Sequence, residues 1–179
     1  MSAGAYATLI TYDKLTFLIC VTPNPFYMQQ YVTELMQYNT KTLVKTNEGS
    51  YDLIPFNNVG IMVIELLYPD GNFPSMLVIE DWLEIVADHF EKYPTSTLAV
   101  HCRCGLGRSA VLVAIALMES GLSPLLAVEM IRSKRQGVFN KKQIKKIYEY
   151  DSRNRLLAML NWPNNQDQEI KKEKLIFKK

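Results

Sequence analysis

Cys102 and Arg108 stand six positions apart in the run Val100, His101, Cys102, Arg103, Cys104, Gly105, Leu106, Gly107, Arg108, Ser109. A turn of that length between a strand and a helix can wrap one phosphate, its backbone N–H groups from Arg103 to Arg108 turned inward and the positive end of the next helix aimed at the anion. Gly105 and Gly107 supply the backbone freedom that so tight a curve needs, and Leu106 completes the loop. The same amides favour a thiolate, so Cys102 should ionise well below free cysteine and attack phosphorus directly. Arg108 offers a planar fork for two oxygens of the transferring phosphoryl group, which a lysine cannot reproduce.

Three further residues complete a reaction. Ser109 can donate its hydroxyl toward the sulfur and ease its departure from a phosphocysteine, and His101 can brace the loop through backbone hydrogen bonds. The leaving oxygen needs a proton, and Asp70 is the candidate general acid, because it precedes the cysteine by one helix and one strand in a loop able to swing over a pocket. Glu48 and Tyr51, in a loop further upstream, are candidates for the pocket wall. Taken singly, a cysteine at a strand end is usually buried packing and an aspartate before a glycine is usually a turn former. The conjunction of strand, Cys-x5-Arg, interior glycines, Ser109 and an upstream acid favours the chemical reading. A zinc site from His101, Cys102 and Cys104 with His89 is set aside, since such close spacing turns neighbouring side chains apart and no second ligand pair follows; the expectation is no metal.

The elements that must position these groups can be read from the pattern. Thr8 to Thr11 and Thr16 to Val21 read as strands around a turn at Tyr12 to Lys14. Asn24 and Pro25 open a helix in which Tyr27, Tyr31, Leu35 and Met36 recur at helical spacing as far as Tyr38. Thr42 to Lys45 and Gly60 to Leu66 read as strands, and Tyr68 to Ser75 as a loop leading to a helix that carries Ile79, Trp82, Leu83, Val86 and Phe90 on one face. Thr97 to His101 is the strand before the cysteine, and Ala110 to Met118, apolar all round, is a helix in the middle of the domain. Ser123 and Pro124 start another helix closed by Gly137, and Asn140 with Gln143 forms a capping box for the last. Strands alternating with helices imply an α/β architecture, a mostly parallel sheet flanked by helices with binding loops at the carboxyl ends of the strands. Residues 1–160 form one domain and 161–179 a polar, basic tail expected to be poorly ordered.

Composition narrows the class. Of 179 residues, 48% are hydrophobic and 21% charged, which suits a soluble folded domain, and the formal net charge of +2 argues against a nucleic-acid partner. Three cysteines (Cys20, Cys102, Cys104) do not make a disulfide scaffold. No apolar run is long enough to cross a bilayer and Met1 to Ile10 lacks the marks of a signal peptide, so the expectation is cytoplasmic. Seven basic residues (Arg132, Lys134, Arg135, Lys141, Lys142, Lys145, Lys146) lie between Ile131 and Tyr148 without an acid, and five lysines crowd the end from Lys171. They read equally well as solvated faces or as a contact with an anionic membrane surface, which would make the protein peripheral to a membrane.

From about Thr8 to about Arg155 the sequence resembles the phosphatases of regenerating liver, a prenylated branch of the dual-specificity protein tyrosine phosphatases. The resemblance runs through Asn47 to Asp52, Tyr68 to Ser75, Asp81 to Leu83, Ala99 to Leu112 and Ile131 to Gln143. It implies the cysteine-phosphatase fold, a phosphocysteine intermediate, no metal cofactor, low intrinsic turnover, and binding to cyclin-M-type magnesium transporters through the active-site face. Ser109 and Ala110 replace the family's alanine and proline, and a hydroxyl there predicts faster phosphoenzyme hydrolysis. Asn47 stands where the family has its partner cysteine for reversible oxidation, which leaves Cys104 as the redox candidate, although a bridge within so tight a loop would be strained. Arg103 and Cys104 replace small apolar residues, and a basic residue next to the nucleophile raises a phosphoinositide substrate beside a phosphoprotein one. The sequence closes on Phe177, Lys178 and Lys179 without the family's prenylation cysteine. The leading function is a phosphatase for phosphotyrosine, with phosphoserine or phosphothreonine beside it; a phosphoinositide phosphatase and a slow docking module are the alternatives.

Overall fold

The computed structural model describes residues 7–161. β1 (Ala7–Tyr12) and β2 (Leu15–Val21) form an antiparallel hairpin in which Ala7 faces Cys20 and Tyr12 faces Leu15. β2 pairs in parallel with β5 (Thr97–Cys102), β5 with β3 (Thr40–Lys45), and β3 with β4 (Met62–Glu65). The order β1-β2-β5-β3-β4 therefore puts β5 at the centre of a sheet that is parallel but for one edge strand. A central strand covered on both faces needs an unbroken apolar run, and every residue of β5 is buried.

Helices cover both faces. α1 (Met28–Gln37) and α2 (Ile54–Asn57) pack with Leu18, Cys20, Leu43 and Ala99. On the other face lie α3 (Met76–Lys92), α4 (Arg108–Glu119), α5 (Pro124–Lys134), α6 (Lys141–Tyr148) and α7 (Arg155–Met159). There Phe17, Ile19, Leu98 and Val100 meet Trp82, Val86, Phe90, Val111 and Ile115. All twelve residues of α4 are buried, as its all-round apolarity implies, and the helix begins two residues before Ala110 so that Arg108 is its first residue. Trp82 is fully buried and its indole N–H donates to the Leu112 carbonyl at 2.7 Å, so truncating it to alanine would cost about 3–5 kcal/mol.

Several boundaries differ from expectation for identifiable reasons. Asn24 caps a single 3-10 turn over Pro25–Tyr27 before α1 begins. The buried face of α1 is Met28, Val32 and Leu35, with Tyr31 packed beside it, so of the expected stripe Leu35 and Tyr31 meet the core while Tyr27 and Met36 are exposed. α2 and α7, of four and five residues, are too short to show a period. α5 stops at Lys134, before Gly137, because Arg135 turns to an extended conformation (φ −137°, ψ 101°). The capping box of Asn140 and Gln143 is present, both bonds made. His89 is a core residue bonded to the hydroxyls of Thr42 (2.9 Å) and Ser96 (3.0 Å), and no metal-binding cluster exists among the described residues. Among them, too, no helix is long and apolar enough to cross a membrane. The expected tail falls outside the described residues apart from Asn161.

Candidate active site

The parallel strands end on one side of the sheet, and there β5 delivers Cys102 into a loop that closes at the first residue of α4. Cys102 is 3% exposed, and its Sγ lies 3.3 Å from the Ser109 hydroxyl. Burial alone would raise the thiol's pKa. The Ser109 hydroxyl and the backbone N–H groups of Ser109, Gly107 and Gly105 outweigh it, so the thiol ionises below its ordinary value. The amides that act on the sulfur thus come from the second half of the loop and the first turn of α4.

Arg108 is buried, and its Nη1 donates to the carbonyls of Thr46 and Tyr68, each at 3.2 Å. Two carboxylates approach the same guanidinium from outside: Asp70 Oδ1 is 3.2 Å from Nε and Glu48 Oε2 is 3.6 Å from Nη1. The arginine side chain is 4% exposed and the two acids 71% and 76%, so fixed carbonyls hold the guanidinium from within while solvated carboxylates occupy its outer edge. A cavity of about 420 Å³ is lined by Thr22, Asn47, Glu48, Asp70, Arg103 and Arg108. Glu48 therefore stands at the mouth. Tyr51 does not line it: its hydroxyl is 2.8 Å from His101 Nε2, behind the loop.

His101 braces the start of the loop through backbone hydrogen bonds, as expected, and its ring adds a contact that was not. Its ring reaches Tyr51, and its backbone carbonyl accepts the Thr46 N–H (3.0 Å) and hydroxyl (2.9 Å), tying β5 to the end of β3. Burial, then the charge of Lys45, pushes the ring's pKa down to about 3, so it is neutral at ordinary pH and cannot serve as a proton donor there.

The largest brace comes from Arg135, which sequence reasoning grouped with solvated lysines. Its Nε donates to the Gly105 carbonyl at 2.7 Å, Nη2 to the Cys104 carbonyl at 3.1 Å and Nη1 to the Thr8 hydroxyl at 2.9 Å. Gly105 has φ +67°, and a Cβ there would sit 2.6 Å from Arg135 Nη2 and 2.8 Å from the Cys20 carbonyl, so neither the backbone nor the space admits a side chain. Gly107 needs space rather than freedom: its φ is negative (−116°), and a Cβ would press on Gln143 Nε2 at 3.2 Å. The Leu106 carbonyl accepts the Phe139 N–H at 2.8 Å, while the side chains of Arg103, Cys104 and Leu106 are exposed. Cys104 thus faces solvent and Cys102 does not.

The loop that carries Asp70 is docked. Asn140 Nδ2 donates to the Gly71 carbonyl (3.0 Å), Gln143 Nε2 to the Asn72 carbonyl (3.3 Å) and Lys142 to the Asn72 side chain (2.5 Å). At its start the Tyr68 hydroxyl donates to the Arg108 carbonyl at 2.6 Å. Thr46, Tyr68 and Arg135 were not legible as site residues, because each works through backbone carbonyls.

A buried nucleophilic thiol, an amide-lined loop and an arginine at the helix start define a cysteine phosphatase of the dual-specificity class. The family model described as "polymorphic toxin system, DSP-PTPase phosphatase" matches residues 24–122. The PRL-1 phosphatase of Drosophila melanogaster is 41% identical over 148 residues, 83% of this chain and 84% of its own. Protein tyrosine phosphatase type IVA 3 of Homo sapiens is 39% identical over 147 residues, 82% and 85% of the two chains. The solved structure of a protein tyrosine phosphatase from Leishmania major superposes with a TM-score of 0.71 at 33% identity, covering 81% of this chain and 98% of that one. The chain belongs to the PRL, or type IVA, family of protein tyrosine phosphatases.

Proposed function

We propose that the chain dephosphorylates phosphotyrosine in proteins, with Cys102 as nucleophile, Arg108 as phosphoryl clamp, Asp70 as general acid and base, and Ser109 as donor to the sulfur. Phosphate oxygens replace the Asp70 and Glu48 carboxylates on the guanidinium. The Cys102 thiolate attacks phosphorus, the P–O bond to tyrosine breaks, and Asp70 gives its proton to the departing phenolate oxygen. Water then attacks the phosphocysteine, passes a proton to the Asp70 carboxylate, and the P–S bond breaks as the Ser109 hydroxyl stabilises the thiolate. Amides and Arg108 carry the developing charge without moving. The observation that carries this reading is the placement of the Cys102 sulfur 3.3 Å from the Ser109 hydroxyl, at the foot of a loop whose far end places Arg108 against Asp70.

Arg103 in the cavity wall supports a phosphoinositide as the second reading, since an added cation suits a more highly charged headgroup. Glu48 and Asp70 at the mouth weigh against it, because further phosphates would meet two carboxylates. Turnover of phosphotyrosine peptides, phosphothreonine peptides and phosphoinositide vesicles, each beside Cys102→Ser, tests the proposal. Phosphate release from the tyrosine peptides, abolished by the substitution, is expected; release from the lipid alone would overturn it.

A further inference from the structure

Beside the catalytic cavity lies a second one, of about 310 Å³, whose lining includes Val21, Thr22, Tyr27, Gln30, Tyr31 and Glu34. Thr22 belongs to both, and its hydroxyl is 3.1 Å from the Cys102 carbonyl, so the two cavities share a wall at the nucleophile's own backbone. Val21, Tyr27 and Tyr31 give the second cavity its apolar wall, and Thr22, Asn24, Gln30 and Glu34 its polar one. Tyr31 spends its hydroxyl on the Val21 carbonyl at 2.9 Å, while Tyr27 is exposed at 61%, with Phe26, at 92%, next to it in the chain.

One polar group in this lining is unsatisfied. Glu34 Oε1 is buried and has no hydrogen-bond partner among the described residues, and burial lifts the pKa of its carboxyl. A buried acceptor without a donor costs stability and calls for a reason. An acid among aromatic faces, next to a phosphate pocket, suits a long side chain with an apolar stem and a cationic head.

We propose that this cavity is a specificity subsite for a lysine or arginine that flanks the phosphorylated residue in a peptide substrate. The stem lies along Tyr27, Tyr31 and Val21, and the cation reaches the Glu34 carboxylate. With about 3.3 Å of extended chain per residue, a basic residue within about three positions of the phosphotyrosine can reach it. The proposal rests on the phosphoprotein reading of the catalytic site and names the sequence context that site prefers.

The test compares kcat/KM for three phosphotyrosine peptides that differ only in carrying arginine, alanine or glutamate at flanking positions, with p-nitrophenyl phosphate as a substrate too small to reach the cavity and phosphoinositide vesicles as a control. The arginine peptide is expected to lead the alanine peptide by about tenfold, in the range of a charge-assisted hydrogen bond. Glu34→Gln should remove that lead, Glu34→Lys should transfer it to the glutamate peptide, and the exposed-site variant Tyr27→Ala should reduce it, all with p-nitrophenyl phosphate turnover unchanged. Equal rates on the three peptides, or a lead that survives Glu34→Gln, would overturn the subsite and leave the phosphotyrosine reading standing. Turnover of vesicles and of no peptide would overturn both.

Discussion

Two buried arginines stand at the loop that carries Cys102, and their partners differ in kind. Arg135 spends its guanidinium on acceptors that belong to the fold: two loop carbonyls and the Thr8 hydroxyl. Arg108 has two fixed carbonyls at Nη1, but its other neighbours are the exposed carboxylates of Asp70 and Glu48. The difference separates scaffold from site. An arginine whose partners are all backbone or rigid side chain has nothing left to offer a ligand, whereas one that faces solvated acids can exchange them for phosphate oxygens, because the released carboxylates are already hydrated and the guanidinium keeps an anionic partner.

Substitutions that break this contrast rank by how close they come to the reacting atoms. Arg108→Lys keeps the charge and loses the fork, so kcat/KM on a phosphotyrosine peptide should fall by about 10³-fold with the melting temperature little changed; a fall below tenfold would place the clamp elsewhere. Asp70→Asn should lower kcat by about 10²-fold on the same peptide and far less on an aryl phosphate with an acidic leaving group, as a pH-rate series on both substrates would show. Ser109→Ala removes the largest influence holding the sulfur's pKa down, so iodoacetamide alkylation of Cys102 near neutral pH should slow by about tenfold. The sign follows from the lowered pKa: reactivity is lost as pH falls through it, and in Ser109→Ala that midpoint moves upward, toward free cysteine. Arg135→Met, at the fixed end, should cost about 2 kcal/mol in denaturant unfolding yet only about twofold to fivefold in kcat, well below the losses for Arg108→Lys and Asp70→Asn. If its kcat loss equalled that of Arg108→Lys, the division into scaffold and site would fail.

Much of the fold and the centre of the site was legible because both depend on local pattern. The apolar run before Cys102, the all-round apolar α4 and the six-residue spacing are properties of consecutive residues. What escaped depends on contacts far apart in sequence. Arg135 sits in a run of basic residues and turned out to be the one facing inward, since only the assembled fold brings Gly105 to it, 30 positions away. The others stay outside: Lys145 and Lys146 both reach Glu149, and Lys142 reaches Asn72. Tyr68 and Thr46 use generic backbone bonds that no residue pattern announces. Tyr51 was placed at the pocket wall by its neighbourhood, but its hydroxyl found the His101 ring instead.

Tyr68 is joined to Arg108 twice, by a hydroxyl that donates to the arginine's carbonyl and by a carbonyl that accepts from its guanidinium. The backbone that leads to Asp70 is therefore anchored on the very residue whose guanidinium Asp70 faces. Displacing the chain at this tyrosine would strain both bonds at once, so any shift of the segment that leads to Asp70 would also disturb the seat of the Arg108 guanidinium.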